Sequence, residues 1–180
     1  MNASIPDAAP RIAWTKATDA RDIADARTLF REYAATLGVD LCFQGFEAEL
    51  AALPGNYAPP AGALLLVHVD DCLAACCAMR PLPKVAPEPA CEMKRLYVRP
   101  AYRGLGLGRQ LAQRIVEEAK ARGYASMFLD TLETMHAARA TYRAMGFITT
   151  APYYRNPLPG VCYLRCDLRA ESMAAPAQRD

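Results

Sequence analysis

The chain has 180 residues, 53% of them hydrophobic, which fits a single domain with one sizeable core and argues against a second. Lysine and arginine number 21 against 19 aspartates and glutamates, and a net charge of +2 excludes a broad basic footprint for nucleic acid or for an anionic membrane. The start, Met1 to Pro10, has no basic segment followed by an apolar run, and no window is apolar for the length a bilayer needs, so a soluble, unexported, cytoplasmic protein is expected.

Asp19 is placed to cap a helix in which Ile23, Ala26, Phe30, Tyr33 and Leu37 recur at helical spacing, and Gly38 is suited to stop it. A shorter helix is expected over Phe43 to Leu53, ended by Pro54-Gly55. Ala63 to Val69 and Cys72 to Met79 read as strands of a hairpin turning at Asp70-Asp71. Arg80 to Pro89 contains four prolines, which cannot donate to a ladder, and is expected as a loop. Cys91 to Val98 then reads as a strand. Gly106 to Arg122 reads as a helix with Leu107, Leu111, Ile115, Val116 and Ala119 on one face, stopped by Gly123. Ser126 to Leu132 predicts a strand, Thr134 to Met145 a helix stopped by Gly146, Phe147 to Ala151 a short strand and Val161 to Leu168 the last one. Residues 10–169 form the expected domain, with the small and polar-rich segments 1–9 and 170–180 frayed.

Seven cysteines, an odd number scattered along the chain, fit reduced, mostly buried thiols better than a disulfide framework. The pairs Cys72/Cys76 and Cys162/Cys166 lie in strand-like stretches, where residues four apart stand roughly 13 Å from each other, too far to share one zinc. No metal is expected.

The chemistry concentrates in Leu96-Tyr97-Val98-Arg99-Pro100-Ala101-Tyr102-Arg103-Gly104-Leu105-Gly106-Leu107-Gly108-Arg109, which runs from strand through turn into helix. Three glycines at alternating positions leave backbone amides uncovered, and the first turn of a helix adds unpaired N–H groups and a favourable dipole, a combination suited to phosphate. A Walker loop would need Lys and Ser or Thr after the glycines, where Arg109 and Gln110 stand instead. A dinucleotide fingerprint would need a third glycine at Arg109, and glycines directly after the strand, although Asp130 ends a following strand at a suitable distance.

This segment resembles the cofactor motif of the GNAT acetyltransferases, Gln/Arg-x-x-Gly-x-Gly/Ala, matched by Arg103, Gly106 and Gly108; Gly104 is a common addition in that family. A second family feature, a tyrosine shortly before a Gly-Phe pair, is matched by Tyr142 and Gly146-Phe147. The resemblance follows the element order from the first helix to the last strand and is most specific over Glu92 to Phe147. It implies an α/β (α+β) GNAT fold, with a mixed central sheet of about six or seven strands and helices on both faces. It also implies transfer of an acetyl group from acetyl-CoA to an amine, with the strand ending at Val98 splayed from Ser126 to Leu132 so that pantetheine lies between them.

Backbone groups of Leu96 and Val98 would then hold pantetheine, and Arg103, Gly104, Leu105, Gly106, Leu107, Gly108 and Arg109 the pyrophosphate. One departure is Met135, where many family members carry a pantetheine-binding asparagine. Attack by an amine requires its neutral form, and the leaving thiolate requires a proton. Tyr142 is the expected acid. Glu92 is the expected base, because even spacing would set it on one strand face with Leu96 and Val98. Arg31, Tyr33, Tyr153, Tyr154 and Arg155 are the candidate acceptor contacts, the two arginines being suited to a carboxylate. The implied partner is a small, amino-acid-like amine, with a homodimer compatible; a protein amino group as acceptor and a non-catalytic acyl-CoA sensor are the alternatives.

Overall fold

The computed structural model describes residues 9–38 and 45–169. The expectations for residues 1–8 and 170–180, for Cys42 and for a helix start at Phe43 lie outside the described residues.

Helix α1 spans Ala20–Leu37. Its N-cap is Asp19, whose side chain accepts from the Asp22 amide at 2.8 Å, and Gly38 closes it in the left-handed region at φ 64. Ile23, Ala26, Leu29 and Phe30 turn inward, as the periodicity requires. Helix α2 is Phe46–Ala52 and stops ahead of Pro54, whose ring disfavours helix at the residue before it. Strands β2 (Ala63–Val69) and β3 (Cys72–Pro81) form the hairpin, with Asp70 and Asp71 at φ 48 and 64. A two-residue turn whose twist matches its strands needs positive φ at both positions, and aspartate tolerates it.

Strand β4 (Ala90–Val98) leads through a 3-10 turn, Pro100–Tyr102, into helix α3 (Leu107–Ala121), which crosses over to β5 (Ser126–Leu132). Helix α4 (His136–Ala144), the two-residue β6 (Ile148–Thr149) and β7 (Val161–Asp167) complete the chain. Three expectations need correction. A strand β1, Ile12–Lys16, precedes α1 and was not expected. Arg80 and Pro81 extend β3, because Pro81 sits at the strand end, where a missing N–H costs little. Helix α4 starts at His136, two residues later than the pattern suggests, with Met135 as N-cap.

The seven strands run β1-β2-β3-β4-β5-β7-β6, all neighbours antiparallel except β4 and β5, which α3 connects in parallel. This is the mixed α/β sheet expected, covered on both faces. Leu65, Val67, Cys77 and Met79 pack with α3 and with Tyr142 of α4. Their strand neighbours Leu64, Leu66, Cys76 and Ala78 pack with α1 and α2 on the opposite face. That double burial makes β2 an apolar run rather than an alternation. Leu111 and Ile115 of α3 are fully buried, each worth about 1.5–3 kcal/mol of hydrophobic stabilisation. No helix among the described residues is long and apolar enough to cross a membrane.

Candidate active site

The site begins with a defect in the ladder. Cys76 pairs with Tyr97 and Ala78 with Lys94, so Arg95 and Leu96 together stand opposite Cys77 alone. Arg95 takes φ 57 to make this bulge, a conformation uncommon outside glycine. A bulge bends its strand and increases the local twist. Accordingly β4 pairs with β5 only at Ala90–Ser126, Cys91–Met127 and Glu92–Phe128, after which the two strands part.

The bulge also corrects the expectation that Glu92 shares a face with Leu96 and Val98. One extra residue shifts the alternation. Cys91, Met93, Leu96 and Val98 pack on the α3 side, whereas Glu92 and Lys94, paired with Arg80 and Ala78, face the α1 and α2 side with Tyr97.

Beyond Val98, Gly104 (φ 88) and Gly106 (φ 72, the N-cap of α3) hold a conformation that L side chains resist. The amides from Gly104 to Arg109 have no acceptor among the described residues, whereas the Arg103 amide donates to Pro100 at 3.2 Å and its guanidinium Nε to the Val98 carbonyl at 3.4 Å. Of this segment Arg103 and Gly108 line a groove of about 600 Å³, together with Val98, Met135, Ala138 and Thr141, whereas Gly104, Leu105, Gly106, Leu107 and Arg109 do not line it. The groove continues, past the shared walls Tyr33, Leu96, Leu132 and Met135, into a smaller cavity of about 50 Å³ in the gap between the parted strands. Tyr142 reaches this inner cavity from α4. Its ring packs on Phe147 at 5.7 Å, and its hydroxyl has no hydrogen-bond partner among the described residues. Burial pushes its pKa well above the ordinary 10, so it stays protonated.

The α1 and α2 side of the same cavity is charged. Glu92 is fully buried; Arg80 Nε donates to its Oε2 at 2.8 Å and the Tyr153 hydroxyl to its Oε1 at 2.9 Å. Lys94, 7% exposed, donates to Asp130 Oδ1 at 3.0 Å and lies 3.5 Å from Glu92 Oε1. Asp130 Oδ2 accepts from the Tyr154 hydroxyl at 2.9 Å and from Asn156 at 3.4 Å. Arg95 grips Glu49 with Nε and Nη2 at 2.9 and 2.7 Å, and the Tyr57 hydroxyl donates to that carboxylate at 3.0 Å. Burial alone would raise Asp130 and Glu49, but Lys94 and Tyr154 outweigh it for the first and Arg95 for the second, so both carboxyls lie below their ordinary values. Burial raises Tyr33 to about 12 and pushes Tyr153 and Tyr154 up as well.

The expected site residues therefore separate into groups. Tyr142, Leu96, Val98, Arg103 and Gly108 meet at the groove and cavity, and Tyr33 lines both. Glu92 lines neither, and both its oxygens are engaged. Tyr153 and Tyr154 pack edge-on against Tyr163 at 5.3 and 5.7 Å and donate to Glu92 and Asp130 respectively. Arg31 and Arg155 are exposed and line neither space. Lys94, Arg95, Asp130 and Asn156 do line the inner cavity and were missed. The available signal was two adjacent cations close after Glu92 in β4 and a carboxylate within β5, in strands whose other residues are mostly apolar. No group of three His, Cys, Asp or Glu among the described residues could hold a metal.

Comparison with known proteins bears on this geometry. The Acetyltransferase (GNAT) family profile matches residues 26–147. An uncharacterised N-acetyltransferase of Schizosaccharomyces pombe is 42% identical over 149 residues, covering 82% of this chain and 90% of its own. Among solved structures, a GNAT-family acetyltransferase from Staphylococcus aureus Mu50 superposes with a TM-score of 0.71 at 15% identity, covering 88% of this chain and all (100%) of its own. The yncA acetyltransferase of Salmonella typhimurium, solved with its cofactor acetyl-CoA, gives 0.60 at 19% identity over 93% of this chain and 99% of its own.

Proposed function

The chain belongs to the GNAT acetyltransferase family and is an acyltransferase, and from that premise we propose that it moves an acetyl group from acetyl-CoA to a primary amine by direct transfer in a ternary complex. The observation that carries this reading is the parting of β4 from β5 beyond Glu92 and Phe128, next to a helix start with uncovered amides.

The residues present fit a CoA molecule. The Gly104 to Arg109 amides and the α3 dipole suit a pyrophosphate, with Arg103 and Arg109 as charge partners. The groove between Val98 and α4 suits an extended chain that pairs with the exposed edge of β4 at Leu96 and Val98. Met135 offers an apolar wall where an asparagine contact was expected, and its sulfur accepts from the Thr131 hydroxyl at 3.6 Å. When bound, acetyl-CoA supplies the acetyl group as a thioester.

In the transfer the C–S bond breaks as the C–N bond forms. The sulfur then requires a proton, which the Tyr142 hydroxyl, protonated and without a hydrogen-bond partner among the described residues, can donate. With so high a pKa it works through position rather than acidity. The proton shed as the C–N bond forms replaces the one that Tyr142 gives to sulfur, and before that the ammonium must lose a proton to solvent. Glu92 is a poor candidate to take it, because Arg80 and Tyr153 occupy its oxygens; we assign it to holding the charged face in place.

The test is thermal unfolding with ligand. CoA and acetyl-CoA at 100 times their dissociation constants should each add about 2.7 kcal/mol, NAD and ATP much less. Equal stabilisation by NAD would overturn the assignment.

A further inference from the structure

We infer that the acceptor is a free α-amino acid or close analogue, whose ammonium and carboxylate are held by the Lys94–Asp130 pair at the inner cavity. The inference rests on the acetyl-transfer reading and names the substrate of that same site.

Position is the first argument. Lys94, Asp130 and Asn156 line the same small space as Tyr142, so an amine that reaches the acetyl group meets them. Exposed Arg31 and Arg155 have no such access.

Hydrogen-bonding capacity is the second. An ammonium has three donors, and Lys94 directs one to Asp130 at 3.0 Å and a weaker one to Glu92 at 3.5 Å. The other neighbour of Lys94 is the Tyr154 ring, 5.7 Å from Nζ, a weak contact that a ligand carboxylate would replace. Asp130 accepts from Lys94 on Oδ1 and from Tyr154 and Asn156 on Oδ2, which leaves a lone pair on Oδ1. A spare cationic donor therefore sits beside a spare anionic acceptor. An α-amino acid carries the complementary pair on one carbon and can lie antiparallel to them, carboxylate on Lys94 and ammonium on Asp130.

Net charge is the third. Arg80, Lys94 and Arg95 balance Glu49, Glu92 and Asp130 through contacts of 2.7 to 3.5 Å. Among the described residues the cluster is neutral and, apart from Arg80, largely buried. A polyamine would bring uncompensated positive charge into it, which burial penalises heavily, whereas a zwitterion adds none. A peptide N-terminus lacks the α-carboxylate that Lys94 would hold, so it meets only half of the pair.

The experiment uses the full chain with saturating acetyl-CoA and follows thiol release and product mass. The acceptors are the free amino acids, their carboxamides, the corresponding decarboxylated amines, spermidine and short peptides. At least one amino acid should exceed its carboxamide and its decarboxylated amine by about 30-fold or more in kcat/KM. In Lys94→Met that ratio should collapse toward one, mainly through KM, while the melting shift produced by CoA persists. Calorimetry should likewise detect the preferred amino acid binding to the parent enzyme with CoA present, and not to Lys94→Met. If Lys94→Met does not fold, Lys94→Met/Asp130→Asn restores the charge balance and should show the same loss. Carboxamides, amines or peptides accepted as well as amino acids, or a preference that survives both variants, would overturn the inference and leave acetyl transfer standing. Absence of transfer to every acceptor, with no CoA-induced stabilisation, would instead remove the reading on which it rests.

Discussion

Replacing Tyr142 by phenylalanine separates chemistry from packing. The ring lies on Phe147 and is 6% exposed, so Tyr142→Phe keeps its contacts and deletes only a hydroxyl that no described residue engages. Melting temperature and CoA affinity should stay near parental, while kcat falls about 10²-fold, the lower end for a lost general acid. Single-turnover rates are the measurement, since slow product release would hide the effect in kcat. A parental single-turnover rate removes Tyr142 as the acid. Glu92→Gln should behave in the opposite way. Arg80 loses its buried counter-charge, which should cost about 3 kcal/mol, toward the low end for broken buried pairs because the Arg80 side chain is 31% exposed. The shape of the pH profile of kcat/KM should be unchanged. A basic limb that shifts in the variant would return Glu92 to the role of base.

At the scale of elements, the α3 start can be tested against its own end. Gly106 (φ 72) and Gly123 (φ 77) flank the helix in the same left-handed region, and a Cβ at either would meet nothing closer than 3.6 Å. Gly106→Ala and Gly123→Ala should therefore lose similar stability, about 1–2 kcal/mol by urea unfolding. Only Gly106→Ala should weaken CoA binding, by tenfold or more, since relieving the strain re-aims the amides of Leu107 and Gly108. Equal CoA affinity in both variants would remove the amide cradle. Most elements could be read from the chain because their signals are local: the Asp19 cap, the periodicity of α1 and α3, the paired aspartates of the hairpin. β1 could not, because an edge strand of five residues buries little and only Ile12 and Trp14 turn toward the core. The bulge was hidden for a different reason. It belongs to the pairing of β3 with β4, and the residue that makes it is an arginine rather than a glycine. The glycine motif and Tyr142 were legible, but the faces of Glu92 and Lys94 depended on that bulge. Their pairing with Arg80 and Asp130 joins strands that only the fold brings together.

For the whole molecule, the buried charges predict how stability varies with pH. Asp130 and Glu49 have folded-state pKa values below their ordinary 3.8 and 4.5. A depressed carboxyl stabilises the fold fully above its unfolded pKa, and that stabilisation disappears as pH falls toward the folded value. The urea midpoint should thus be flat from pH 7 to about 5.5 with respect to these groups and drop below about pH 4. In Asp130→Asn the drop should be shallower, from a lower plateau. A midpoint independent of pH down to 3 would contradict the assigned pairings.

A continuous sheet has two edges; this one has four. β1 and β6 bound it outside, and beyond Glu92 and Phe128 the facing borders of β4 and β5 have no strand opposite them. Strands β1 to β4 and strands β5 to β7 are two plates welded over three residue pairs and bridged by α3. Such a weld should let the plates flex about the Ala90–Ser126 end, so that the gap breathes. A ligand lying along both inner borders would act as a missing rung between them. Binding of CoA should therefore slow amide hydrogen exchange on each side of the gap, over residues 94–98 and 129–132, and leave the outer strands β1 and β6 unchanged. The molecule would become one stiff sheet only while its donor is bound.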